Sequence, residues 1–142
     1  MAGIRFINYI VDSIFYKTNP NFDIEHVKKI SIDEKIFATI DILEEEESAV
    51  ITLKAKVNER ENVPFSFEAS IVGYFEYNKE ASDGIEFEKF LKTNAIAILF
   101  PYLRSLVSDI TAKSNKFPNY NMPVRNISQE IEENGNIQIN RI

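Results

Sequence analysis

One histidine, no cysteine and four scattered glycines leave this chain few ways to make or break a bond. Without a thiol there is neither a Cys nucleophile nor a thiolate metal site. No serine stands in a Gly-x-Ser-x-Gly elbow, and His26 sits in a loop with no sequence partner to make it a base or a ligand. Gly3, Gly73, Gly84 and Gly135 lie too far apart to cradle a phosphate, so any activity must run without bound nucleotide. Carboxylates are plentiful, but no pair is set in the apolar surroundings that would raise one pKa for hydrolysis, and calcium-loop spacing is missing. Four in succession, Glu44 to Glu47, read as a solvated hairpin tip, with a cation or basic-partner site as the alternative. The expectation is a non-enzyme with no cofactor.

What remains is apolar binding. Phe117, Tyr120 and Met122 fall within ten residues that also hold Pro118, Pro123 and three asparagines. Aromatic rings bury much area and Met adapts to irregular partners. Each apolar side chain that a guest buries contributes about 1.5 to 3 kcal/mol. The same three side chains also fit a loop folded back onto the protein's own sheet, and at this level both readings stand.

The elements that must position them follow from composition and period. At 142 residues, 44% hydrophobic and 27% charged, the chain reads as one globular domain able to build a core without staples. A formal net charge of -6 disfavours nucleic acid, whose binding needs clustered Lys and Arg. Arg5, Asn8 and Asp12 interrupt the apolar N-terminal stretch, which argues against a secretory leader or membrane insertion and for a cytoplasmic protein.

Strand one is predicted from Ile4 to Tyr16, with apolar residues on both faces. Strand two, Lys35 to Leu43, sets Ile36, Ala38, Ile40 and Ile42 against Phe37, Thr39 and Asp41. Strand three runs from Ala49 to Val57, and strand four from Pro64 to Tyr77, with Phe65, Phe67, Ala69, Ile71, Gly73 and Phe75 on one face. Every strand precedes the helices, which predicts an α+β fold: a four-stranded antiparallel sheet with C-terminal helices packed on one face. From Ile85 the period becomes helical, with a short helix at Glu86 to Lys92 and a main one at Asn94 to Lys113. Pro101 should kink the main helix or mark its start, because its ring collides with the carbonyl of Ala97. That helix is apolar around most of its girth, so it should meet another subunit as well as the sheet. Residues 1–127 form the domain, and 128–142 a short helix and a tail whose alternating Ile137, Ile139 and Ile142 do not fix its state.

Three pieces carry a resemblance: Leu99-Phe100-Pro101-Tyr102-Leu103-Arg104, then Lys116-Phe117-Pro118, then Met122-Pro123-Val124. A Leu-Phe-Pro-Tyr-x-Arg helix, a Phe-Pro crossover loop and a Pro-Val step resemble the protein-export chaperone family SecB, and the strand order fits it along most of the chain. The resemblance implies dimers that pair through helices and strands, two of them stacking into a tetramer. It implies grooves between sheet and crossover loop for unfolded precursor segments, with Phe117, Tyr120, Met122 and, more weakly, Phe37 as contacts. Leu103, Leu106 and Ile110 of the helix, with Phe67, Ala69 and Ile71 of strand four, are the expected oligomer interface.

Asp12 and Glu68 stand where the family offers carboxylates to the motor ATPase SecA, but Tyr16 replaces an acid and Ser66 an apolar residue nearby. Arg125 is inserted between the Pro-Val pair and Asn126, and the family's Gly-Gly-x-Phe is reduced to Val72-Gly73-Tyr74-Phe75. The implied function is ATP-independent holding of unfolded polypeptide for export. The alternatives are a SecB-like chaperone of an antitoxin, or an oligomeric scaffold or ligand-binding protein that is no chaperone.

Overall fold

The computed structural model describes residues 3–23, 25 and 30–142. Five strands form one sheet: β1 (Ile4–Thr18), β2 (Lys35–Leu43), β3 (Ser48–Val57), β4 (Phe65–Tyr77) and β5 (Ile137–Arg141), in the order β1-β4-β3-β2-β5. The first four pair antiparallel and β5 runs parallel to β2. The sheet thus has one strand more than the expected four, because the tail supplies it. His26 lies outside the described residues.

Strict alternation builds β2, β3 and β4. Ile40, Ile51, Leu53, Ala55, Ala69 and Ile71 are completely buried on one face, while Phe37, Thr39, Thr52, Lys54 and Glu68 point the other way. β1 departs from it. Its register against β4 slips between Phe6 and Asn8 and again between Val11 and Ser13, so Ile7 and Asp12 are bulge residues. Each slip flips the faces. Phe6, Tyr9, Val11, Ile14 and Tyr16 end up opposite the inward residues of β4, and Ile10 and Phe15 opposite the outward ones. This accounts for the two-faced apolar pattern of strand one.

The helices α1 (Phe87–Phe90) and α2 (Ile96–Ala112) are joined without a break by a wide π-helical turn, Leu91–Ala95. Pro101 lies inside α2, which neither starts nor ends there. The irregularity sits about two turns upstream, where the Ser128 hydroxyl donates to the carbonyl of Thr93 at 2.9 Å. By length and hydropathy, Phe87–Ala112 would suffice to cross a membrane. Leu91, Ile96, Leu99, Leu103 and Val107, however, are buried with the sheet residues in one core, as in the core helix of a globular protein. A Cβ on Gly73 would lie 2.6 Å from Leu99 Cδ2, so the bare backbone lets α2 approach β4. After the crossover loop, α3 (Ile127–Glu133) starts at Asn126, whose side chain accepts from Gln129 N–H, and buries Ile127 and Ile131.

Four of the expected interface residues are corrected here. Phe67, Ala69, Ile71 and Leu103 belong to the closed interior between sheet and α2 and have no surface to offer a second copy. Period two separates the faces of a strand without saying which is outside. Leu106 and Ile110 are only partly buried, at the flank of α2. Among the described residues, the largest group of exposed apolar side chains on one element is on β1: Ile7, Ile10, Val11, Ile14 and, at 60%, Phe15.

Candidate functional site

The crossover loop does not float free. Asn119 Nδ2 donates to Ser108 Oγ at 2.8 Å, the Tyr120 amide to Thr111 Oγ1 at 2.8 Å, and Arg104 Nε to the Met122 carbonyl at 2.6 Å. These bonds run from α2 to the loop, so the rigid helix sets the loop's path. On its far side the Phe117 ring meets Phe22 edge-on at 5.6 Å.

Between this loop and the sheet end lies an apolar cavity of about 290 Å³, lined by Ile30, Ile32, Phe65, Phe117, Tyr120 and the two prolines Pro64 and Pro118. Phe65, nearly buried, makes tilted ring contacts with Tyr16, Phe67 and Tyr120. The space suits one large apolar side chain at a time, with little directional polar chemistry.

A polar latch flanks the cavity. The Tyr120 hydroxyl donates to the buried Glu34 carboxylate, and Arg125 reaches Glu34 at 2.9 Å and Glu130 at 2.8 Å. The same guanidinium lies 5.5 Å from the Phe100 ring centre and donates to the Pro123 carbonyl. Arg125 therefore joins α2, the crossover loop, α3 and the approach to β2. Burial, then the bond and charge of Glu34, push the Tyr120 hydroxyl well above the usual phenol range. Burial acts to lower Arg125, but the bonds and charges of Glu130 and Glu34 outweigh it and hold the cation.

The four contacts expected from sequence do not converge. Phe117 and Tyr120 share the cavity. Met122 has no exposed surface: its carbonyl is held by Arg104 and its side chain belongs to the core, which corrects its place among surface contacts. Phe37 lies on the opposite face of the sheet, 5.7 Å from Lys54 Nζ, so it too is separated from the cavity. It lines a polar concavity of about 350 Å³ with Asp12, Thr39, Thr52, Lys54, Glu68 and Ser70. Asp12 and Glu68 do share that face, but Asp12 accepts from the Ser70 hydroxyl at 3.2 Å and Glu68 pairs with Lys54 at 3.3 Å. Sequence reasoning missed Ile30, Ile32, Glu34 and the inward turn of Phe65. The two isoleucines carried a signal, apolar side chains inside an otherwise polar loop. Among the described residues no three Asp, Glu, His or Cys side chains are placed to share a metal ion.

The family model for the preprotein translocase subunit SecB matches residues 9–129, from the middle of β1 into α3. The chain belongs to the SecB family. The SecB match takes in both walls of the cavity, the sheet end and the crossover loop. The uncharacterized protein MJ0357 of Methanocaldococcus jannaschii is 33% identical over 145 residues, covering 94% of this chain and 90% of that one. In solved structures, the fold is similar to the SecB-like chaperone Rv1957 of Mycobacterium tuberculosis, in complex with a ChAD peptide from the antitoxin Rv1956 HigA1. The TM-score is 0.69 at 12% identity, over 87% of this chain and 91% of that one.

Proposed function

We propose that this protein is an ATP-independent cytoplasmic chaperone that holds unfolded polypeptide, taking one apolar client side chain in the cavity between crossover loop and sheet. The observation that carries the reading is the cavity itself, an apolar recess between crossover loop and sheet end that Phe117 and Tyr120 line. One side chain buried there contributes about 1.5 to 3 kcal/mol, less than the roughly 4 kcal/mol of a millimolar complex. A single cavity is therefore too weak to hold a client. An oligomer that engages several apolar stretches of one chain gains the missing affinity from effective concentration. The exposed apolar residues of β1 are the surface on which a second copy would sit, within a dimer of dimers.

As to client, the complex of the Mycobacterium tuberculosis chaperone with an antitoxin peptide favours an antitoxin-like segment over an exported precursor. Docking to SecA through Asp12 and Glu68 has less support, since both carboxylates already have partners on the sheet.

The test mixes the protein with a reduced, unfolded model client and follows the complex by size-exclusion chromatography and by suppression of aggregation. Phe117→Ser with Tyr120→Ser should weaken client binding about tenfold or more, the loss of one to two buried side chains per cavity, compared at a temperature where circular dichroism shows the variant folded, because Phe117 also packs on Phe22 and Tyr120 bonds Glu34. Binding that survives the double substitution removes the cavity from the mechanism. A protein that ignores the client altogether is an assembled scaffold.

A further inference from the structure

The last strand is seated differently from the other four. β5 lies on the outer edge of β2 from Ala38 to Ile42, its ladder framed by Ala38 N–H to the Asn136 carbonyl and Ile142 N–H to the Ile42 carbonyl, both 2.9 Å. None of its residues is buried, whereas Ala38, Ile40 and Ile42 beneath it are almost completely so. Ile137 and Ile139 lean on the core from the rim. Arg141, on the same face, pairs with Glu44 of the β2–β3 turn and Glu88 of α1. On the other face Asn140 donates to Asp41 at 2.8 Å. Parallel pairing is the slightly weaker kind, exposed ion pairs add little, and the strand hangs from a turn at Asn134-Gly135 in which Gly135 takes a left-handed φ of 68°. β5 thus sits on β2 in the manner of an extended guest added to a sheet edge.

We propose that the outer edge of β2 is a strand-addition site that its own β5 occupies at rest, and that an extended client segment of the same pattern, apolar at alternate positions and ending in Lys or Arg, displaces it. This rests on the chaperone reading and gives it a second client contact with a sequence preference. The backbone of β2 supplies hydrogen bonds to any sequence. The places of Ile137 and Ile139 select apolar side chains at every second residue. Glu44 and Glu88, together with Glu47 and Glu86, outnumber Lys79 in the same recess of about 280 Å³ and select a cation two residues on.

The experiment uses the full chain, which contains no cysteine of its own. Thr39 and Gln138 are directly paired, so Thr39→Cys with Gln138→Cys permits a disulfide that locks β5 onto β2. The probe is a labelled peptide of residues 136–142, read by fluorescence anisotropy. The reduced double variant should bind it about tenfold more tightly than the oxidised form, in which the open state is removed. In the chain without cysteines, Arg141→Glu should loosen the strand and raise uptake, and a peptide with Glu in place of the arginine should bind less. Equal binding by oxidised and reduced protein, or no binding by either together with none by Arg141→Glu, overturns the proposal. Unfolded client held equally in both redox states would leave the cavity reading standing while strand addition falls. Client ignored by every form would sink the chaperone reading itself.

Discussion

The two edges of the sheet solve one problem in opposite ways. β1 is a 15-residue edge strand with Ile7, Ile14 and Phe15 half exposed or more, and among the described residues no element pairs with its outer side. β2 is nine residues long, and its outer side is closed by β5. An open, apolar strand edge is a template for another chain. Where the protein closes an edge itself, the closing strand is short and polar at alternate positions, so it can leave without exposing much oil. Where it leaves an edge open, both faces are apolar, which suits a permanent partner of the same kind. The bulges at Ile7 and Asp12 twist β1 and break its ladder, limiting the register in which a second strand can join it.

The difference is sharpest when set against the closed interior. Leu103→Asp places an unpaired charge at a fully buried position of α2 and should cost about 4 kcal/mol or more, enough to unfold a domain of this size. Leu106→Asp, one turn on and only partly buried, should leave a folded protein. Denaturant titration of the two variants separates interior from flank. Comparable losses would mean that the flank of α2 is covered in the native assembly.

At the open edge, Val11→Asp with Ile14→Asp introduces like charges where a second copy would pack. Sedimentation should show the assembly dissociating at concentrations about a hundredfold above those of the unaltered protein, with circular dichroism unchanged, as expected when central interface contacts are removed. Ile139→Asp at the closed edge should leave the sedimentation coefficient alone. An assembly that tolerates the β1 changes and fails on Ile139→Asp would reverse the roles of the two edges.

Much of this arrangement was legible from residue order. Alternation placed β2, β3 and β4 within a residue of their ends, and helical spacing found α1, α2 and α3. What failed depended on partners distant in sequence. Ile137-Gln138-Ile139-Asn140-Arg141 alternates as a strand should, but five residues on an edge gain their stability only from β2, nearly a hundred residues earlier. The faces of β1 flip at bulges that are visible only from its register with β4. Met122 and Phe117 look alike in a Pro-rich loop. Both turn inward, but Phe117 still lines the cavity, whereas Met122, its carbonyl held by Arg104, has no exposed surface. Glu34 looked like one more loop acid until Tyr120 and Arg125 closed around it.

That latch gives the smallest and most specific effect. Tyr120→Phe removes the hydroxyl that donates to Glu34 while keeping the ring that lines the cavity, and should cost about 1.5 to 3 kcal/mol, as for a hydrogen bond to a charged group. The folded protein holds the Tyr120 proton more tightly than the unfolded chain, whose phenol ionises near pH 10. The stabilisation is therefore fully present below about pH 10 and is lost as pH rises beyond it, because the unfolded state releases the proton first. Comparing denaturant midpoints at pH 8 and above pH 10 should show the gap between native protein and Tyr120→Phe narrowing. Every other group is common to both proteins, so it cancels from the difference. A gap that stays constant would mean that Glu34 is held by Arg125 alone and that the crossover loop owes its position to the bonds from Ser108, Thr111 and Arg104.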